Sequence, residues 1–389
     1  MPSNIMIVRD IIPALEQRLT APNPLIQVVL GPRQVGKTTA VEQLLGRLPT
    51  TTPRHYASAD AVFRSDWSWL ERQWQEANAK GSDTVLVLDE IQKVENWSEI
   101  IKKCWDEQRR AAHRIKVVLL GSSSLLLQSG LSESLAGRFE LLRAYHWNYR
   151  ECVEGFGLTL DQYLIYGGYP GALAFRDDPD RWLSYMKSSI IETVLDKDIS
   201  QIRRVTRPAL FRQVFELLCS YPAAEISLRK LVGQLQDPGT IDTIKHYIEL
   251  LEGAFLLKTL RKFTTNPIQK RSSSPKILPL APALCTFARA DITLTDSLRG
   301  RLFELAVGLD LARLPGELSY WRVDNDEVDY VYRHGSKIIA IEVKSGRRRS
   351  PHGLIAFKRA FPSAQTVTIS PDQYDSFCSD VRAFISAVL

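Results

Sequence analysis

Leu25-Ile-Gln-Val-Val-Leu-Gly-Pro-Arg-Gln-Val-Gly-Lys-Thr38 is the stretch on which the fold turns. Leu25 to Leu30 is apolar without regular polar alternation, the pattern of a strand covered on both faces. It runs straight into Gly31-Pro-Arg-Gln-Val-Gly-Lys-Thr38, which meets the G-x-x-x-x-G-K-[ST] pattern in full, and then into a helical stretch, Thr38 to Leu48. Strand, glycine loop and helix in that order make a phosphate-binding loop. The glycines let main-chain N–H groups wrap the phosphates, Lys37 reaches the β and γ oxygens, and the helix presents its positive end. The expected ligands are ATP, or a similar nucleoside triphosphate, and Mg2+. The contacting set is Gly31, Pro32, Arg33, Gln34, Val35, Gly36, Lys37, Thr38 and Thr39, with the Thr38 hydroxyl on the metal.

Outward from this loop, Thr84 to Leu88 and Ile115 to Leu120 read as two more buried strands, separated by helical spacing at Trp97, Ile100, Ile101, Cys104 and Trp105. Alternating strands and helices of this kind predict an α/β fold on a parallel sheet. Val85-Leu-Val-Leu-Asp-Glu90 delivers two carboxylates at a strand end. Alone they would suit a solvated loop; beside a phosphate loop, Asp89 is expected to hold Mg2+ and Glu90 to polarise the attacking water. Ser122 or Ser123, after the next strand, is placed to sense the γ-phosphate, with a simple turn as the alternative. Leu135-Ala-Gly-Arg138 sets a guanidinium ahead of another strand, Phe139 to Ala144, where it would reach a neighbouring subunit's nucleotide and stabilise transition-state charge.

From Glu151 the pattern turns helical, with Tyr166-Gly-Gly-Tyr-Pro-Gly171 as a tight turn. Leu210 to Cys219, Ser227 to Leu235 and Ile241 to Leu251 then predict three short helices, and Ala254 to Phe263 a strand pair, together a winged helix-turn-helix. Asn266 to Pro275 reads as a linker. Beyond it, a helix (Leu298 to Leu311) precedes strands at Leu318 to Val323, Glu327 to Tyr332 and Lys337 to Val343. Asp329 followed by Glu342-Val-Lys344 has the spacing of the PD-(D/E)xK nuclease fold. Asp329 and Glu342 would be metal ligands on one face, Lys344 would activate water or steady a phosphate, and Glu304 would be the fourth member. The plain alternative is an alternating strand with solvent-facing charges.

The 389 residues are 44% hydrophobic and 24% charged, an ordinary globular composition of a length for two or three domains. No run approaches the ~18 to 20 apolar residues of a membrane span, so a cytoplasmic protein without a membrane partner is expected. Cys104, Cys152, Cys219, Cys285 and Cys378 are scattered and form no CxxC pair, which argues against a disulfide framework or a zinc knuckle. The net charge of +6 points to a polyanionic partner. Two basic stretches, Arg203, Arg204, Arg207 and Arg212, then Lys258, Arg261, Lys262, Lys270, Arg271 and Lys276, make duplex or branched DNA, read without strong sequence preference, the expected one. Asp242 and Glu249 on the recognition-like helix argue against sequence-specific readout. Trp67, Trp69 and Trp74 are expected to pack, and His113, His246 and His352 lack metal-ligand spacing.

Gly31 to Thr38, Asp89-Glu90-Ile91-Gln92, Gly121-Ser-Ser-Ser124, Leu135-Ala-Gly-Arg138, Gly167-Gly-Tyr-Pro170 and Glu342-Val-Lys344 together resemble the prokaryotic AAA-type ATPases whose carboxyl half is domain of unknown function 4143. The resemblance implies an AAA-type core with a helical lid, and an arginine-finger role for Arg138 in a homo-oligomeric ring such as a hexamer. Ser274-Pro-Lys-Ile-Leu-Pro-Leu280 departs from the family by lacking an aspartate that usually follows. The expected divisions are an ATPase core at 1–150, a lid at 151–205, a winged helix at 206–265 and a restriction-endonuclease-like α/β domain at 266–389. The expected activity is ATP hydrolysis coupled to remodelling or translocation of DNA. The alternatives are a metal-dependent nuclease regulated by ATP, or a nucleotide-gated protein-interaction module.

Overall fold

A computed structural model of the chain describes residues 7–61, 66–110, 114–121, 131, 134–199, 205–235, 239–345 and 352–388. The chain divides into two compact units, Met1–Tyr145 and His146–Leu389.

In the first unit, α1 (Ile11–Leu19) leads to β1 (Ile26–Leu30), followed by α2 (Lys37–Arg47), β2 (Arg54–Ser58), α3 (Trp67–Ala79), β3 (Val85–Asp89), α4 (Trp97–Arg110), β4 (Lys116–Gly121) and β5 (Phe139–Arg143). The five strands form one parallel sheet in the order β2-β3-β4-β1-β5, with Val28 opposite Leu119 on one side and Leu141 on the other. Every residue of β1 and β3 is buried, as their unbroken apolar runs require of strands covered on both faces. α4 turns Trp97, Ile101, Cys104 and Trp105 inward, an apolar stripe at helical spacing. Asp66 caps α3 by accepting from the Ser68 and Trp69 amides, and Trp69 and Trp74 enter the core while Trp67 is exposed. Because all five strands run the same way, the residues following β1, β3 and β4 emerge at one edge, where ligands bind in open α/β sheets.

The second unit opens with helices α5 (Tyr149–Phe156), α6 (Leu160–Tyr166), α7 (Pro170–Leu173) and α8 (Pro179–Tyr185). The expected tight turn lies between α6 and α7. Gly168 has φ +117°, and a Cβ there would come within 2.4 Å of the Ala281 side chain, so glycine is needed for conformation and space alike. Next come α9 (Pro208–Ser220), β6 (Ala224–Glu225), α10 (Leu228–Val232), α11 (Ile241–Gly253), β7 (Leu257–Leu260), α12 (Pro267–Ser272) and β8 (Lys276–Pro279). Ala254 to Phe263 supplies one strand rather than two. Its partner β8 lies beyond the stretch expected to be a linker, which carries α12, and the three-stranded order is β6-β8-β7. The polar composition of Asn266 to Pro275 resembles a linker because α12 is short and solvated, with Asn266 capping it through the Ile268 and Gln269 amides.

After α13 (Pro282–Arg289) and α14 (Asp296–Leu311), the chain forms β9 (Glu317–Val323), β10 (Asp326–His334), β11 (Lys337–Val343), α15 (His352–Ala360), β12 (Gln365–Ile369), α16 (Pro371–Ser379) and α17 (Val381–Val388). The sheet order is β12-β11-β10-β9, antiparallel except for the parallel pair β11–β12. Trp321, Val328, Val331, Ala340, Leu354 and Phe357 make the core under α15. The chain just after β7 continues onto the β9 edge: the Phe263 amide donates to the Tyr320 carbonyl at 2.6 Å, and the Tyr320 amide to the Arg261 carbonyl at 3.3 Å. The two sheets of this unit are thereby stitched together. No helix among the described residues is long and apolar enough to cross a membrane.

Candidate nucleotide-binding site

The loop between β1 and α2 holds two residues in the left-handed region, Gln34 at φ 58° and Gly36 at φ 83°. Gly36 has open space where a Cβ would be, so its conformation is what calls for glycine; Gly31 cannot carry a Cβ, which would meet the Ala144 carbonyl oxygen at 2.1 Å. Pro32 and Val35 are buried, Arg33 partly so, while Gln34 and Thr39 are exposed. The Lys37 ammonium donates to the carbonyls of Gly31 (3.1 Å) and Pro32 (2.7 Å), folding back over its own loop. A buried arginine not singled out in the sequence, Arg9, fastens the loop from below, donating to the carbonyls of Val35 and Tyr145.

Asp89, at the end of β3, collects the groups around it. Its Oδ2 accepts from the Thr38 hydroxyl at 2.8 Å and from the Tyr56 hydroxyl at 2.8 Å, and its Oδ1 accepts from the Glu90 amide at 2.8 Å. A hydroxyl and a carboxylate side by side are the hard oxygen donors that Mg2+ prefers, so the residues present fit that ion. Tyr56 had no motif to announce it; it reaches Asp89 because β2 pairs in parallel with β3, Ser58 lying opposite Asp89. Burial first, then the hydrogen bond to Asp89, pushes the Tyr56 phenol well above its ordinary pKa, so it stays a donor. Glu90 takes a left-handed backbone (φ 52°), and its Oε2 accepts from the Gln92 amide group at 2.5 Å. Ser122 and Ser123 lie outside the described residues; β4 ends just before them at Gly121, opposite Leu30.

Arg138 is engaged within its own chain. Its Nε and Nη2 each donate at 2.9 Å to the two carboxylate oxygens of Asp106 on α4, a bidentate pair, and Nη1 donates to the Ala136 carbonyl at 3.3 Å. That pair lowers the Asp106 pKa and raises that of Arg138. Asp106 was not anticipated.

In the second unit the residues of the expected nuclease set lie near one another, the Asp329 charge adding to burial in raising the pKa of Glu304 and Glu342. Asp329 on β10 accepts from the Val343 amide at 2.7 Å, and Glu342 accepts from Lys344 at 2.7 Å. Glu304 on α14 instead accepts from Lys276 at 2.5 Å, and the same ammonium donates to the Asp329 carbonyl oxygen at 3.0 Å and lies 4.5 Å from the centre of the Tyr330 ring. Burial raises the pKa of Glu304, Asp329 and Glu342. Among the described residues no group of three or more His, Cys, Asp or Glu side chains is arranged to hold a metal ion.

The basic stretches look different in space. Lys276 is 5% exposed, Lys270 pairs with Glu317, and Arg212 pairs with Asp196 and Glu192. Linear sequence counts these as surface charge because it does not show their partners. Arg203 and Arg204, the Arg271 side chain and His113 lie outside the described residues. The exposed face of α11 carries Asp242 paired with Lys245 at 3.3 Å, and Glu249.

Residues 23–153 match the AAA domain family, 157–293 a domain of unknown function, DUF8612, and 299–387 a second one, DUF4143. An uncharacterized protein of Haemophilus influenzae is 21% identical over 342 residues, which span 82% of each chain. One of Mycobacterium tuberculosis is 25% identical over 327 residues, 82% of this chain and 70% of that one. The solved Walker-type ATPase of Pyrococcus abyssi has a TM-score of 0.51 at 15% identity, covering 72% of this chain and 94% of that one, a likeness of fold. The chain thus combines an AAA domain, built on a phosphate loop and a five-stranded parallel sheet, with a carboxyl-terminal DUF4143 domain.

Proposed function

We propose that this protein hydrolyses ATP at the Gly31–Thr38 loop and uses the hydrolysis to remodel or translocate DNA. The observation that carries the hydrolytic part is the 2.8 Å contact between Thr38 Oγ1 and Asp89 Oδ2, two residues 51 positions apart meeting beside the loop. Bound ATP with Mg2+ supplies the transferable phosphoryl group and a cation that neutralises its developing charge. The loop amides and the first turn of α2 bind the phosphates. Lys37 exchanges the Gly31 and Pro32 carbonyls for phosphate oxygens, Thr38 and Asp89 hold the metal, and Tyr56 and the Glu90 amide fix the rotamer of Asp89. Glu90 takes the proton of the attacking water. Arg138, released from Asp106, serves the nucleotide of an adjacent copy in a homo-oligomeric ring.

DNA as the partner is supported by the net charge of +6 and by three helices, α9, α10 and α11, set against a small sheet. A second reading, a nucleotide-gated module that docks a protein, is favoured by the acidic residues exposed on α11 and by the internal pairing of Lys270, Lys276 and Arg212. ATP turnover measured with and without single-stranded, duplex and branched DNA separates the two. Stimulation that falls steeply with salt supports DNA; unchanged turnover together with no retardation of any of the three DNAs gives the protein-docking reading. For hydrolysis itself, Glu90→Gln should keep nucleotide binding while lowering turnover by ~10²–10⁴. Wild-type turnover in that variant would remove Glu90 from the mechanism.

A further inference from the structure

We infer that Lys276 is the resident cation of the carboxyl-terminal acid cluster, so that the acids of a nuclease-like set serve as an ionic joint between the β6-β8-β7 sheet and the β9–β12 sheet instead of holding a catalytic metal. This stands apart from ATP hydrolysis and does not depend on it.

The placement of Lys276 is what argues for it. β8 is a buried strand, all four of its residues inaccessible, and a lysine at its first position is 5% exposed. A buried ammonium without a partner would lose its proton or leave the interior. Here it has three: the Glu304 carboxylate at 2.5 Å, the Asp329 carbonyl oxygen at 3.0 Å, and the Tyr330 ring face at 4.5 Å. Those partners come from α14 and β10, the elements that carry two of the acids expected to bind metal. These contacts tether the ammonium beside the acids, where a divalent ion would have to compete with it.

The remaining acids are engaged as well. Asp329 accepts the Val343 amide and Glu342 Oε1 accepts Lys344, so each of the three carboxylates has a donor within the domain, and Glu342 Oε2 is the buried oxygen left without one. The same seam carries other links between the two sheets: the Tyr320 hydroxyl donates to the Ser274 carbonyl at 2.5 Å, Lys270 pairs with Glu317, and Arg322 pairs with Glu225 at 3.2 Å. Lys276 is the buried cation of this group, and Lys270 and Arg322 lie nearer solvent. An ammonium is a local and monovalent counter-charge; it neither binds water as an activated nucleophile nor bridges phosphate oxygens as a divalent metal does. On this reading the carboxyl-terminal acid cluster braces the domain and does not cut nucleic acid.

The experiment uses the full-length chain without nucleotide. Mn2+ binding is measured by electron paramagnetic resonance in wild type and Asp329→Asn, and plasmid cleavage in Mg2+ and in Mn2+ is followed in parallel. The expected result is the same number of bound Mn2+ ions in both proteins and no cleavage by either. Loss of an ion on Asp329→Asn, or wild-type cleavage that disappears with it, overturns the proposal. The joint itself is tested by thermal midpoints of Lys276→Met, Glu304→Gln and the double variant. Lys276→Met leaves the partly buried Glu304 without its cation and should melt several degrees lower, while the double variant should recover most of that loss. A double variant as unstable as the sum of the singles overturns the ionic joint. If Lys276→Met does not fold, folding of the double variant supports the joint and its failure to fold overturns it.

Discussion

The phosphate loop and the carboxyl-terminal acid cluster each combine a lysine with acids at strand ends, and they differ in how the lysine is held. Lys37 donates to two carbonyls of its own loop, at 3.1 and 2.7 Å, while Asp89 accepts from a threonine and a tyrosine hydroxyl. Neutral contacts of this kind are exchanged at little cost when a phosphate arrives. Lys276 is bonded to the partly buried Glu304 carboxylate and can leave only by stranding a charge. The same residue types therefore make a receptive site in one unit and a closed one in the other, and the deciding quantity is the desolvation cost of letting the lysine go.

The sharpest way to break this comparison is to remove each lysine. Lys37→Ala should abolish nucleotide binding or ATP turnover with a stability change of only about 1 kcal/mol, the scale of ordinary hydrogen bonds. Lys276→Ala should do the reverse, costing about 3–5 kcal/mol while the folded fraction keeps its turnover. Turnover and denaturant midpoints on the two proteins check both halves; equal stability losses would erase the distinction.

Next in size is Arg138. If it acts across subunits, Arg138→Ala should lower turnover by roughly 10³, the lower range for arginine fingers. Asp106→Asn should then shift half-maximal turnover to lower protein concentration, because the bidentate pair no longer holds the guanidinium in its own chain. A concentration dependence unmoved by Asp106→Asn would leave the pair a structural brace. The smallest effect is expected at Tyr56. Tyr56→Phe removes one of two hydroxyl donors to Asp89 Oδ2 and should weaken Mg2+ dependence by roughly tenfold or less, about 1.5 kcal/mol. The readout is Mn2+ affinity of the nucleotide complex; unchanged affinity would show that Thr38 and the Glu90 amide orient Asp89 without Tyr56.

Much of the nucleotide site was legible because its residues are local. Four buried apolar residues (Ile26, Val28, Val29 and Leu30), a glycine loop and a helix lie in one continuous stretch, and Asp89-Glu90 follows another apolar run. β2 was not legible: Arg-His-Tyr-Ala-Ser lacks an apolar run, being an edge strand with no fully buried residue. Tyr56 was hidden with it. Asp106 and Arg9 were hidden for a different reason, since their partners Arg138 and Val35 are 32 and 26 positions away.

The amino-acid sequence by itself determined the phosphate loop, the apolar strands β1, β3 and β4 around it, and the acids at the end of β3, since strand period, glycine conformation and loop chemistry are properties of neighbouring residues. Only the tertiary structure decided which charges are available. It set Arg138 against Asp106, buried Lys276 beside Glu304 and Asp329, and spent Lys270 and Arg212 on internal pairs. Charge availability depends on burial and on partners brought close by folding, and neither is written in the spacing of residues along the chain.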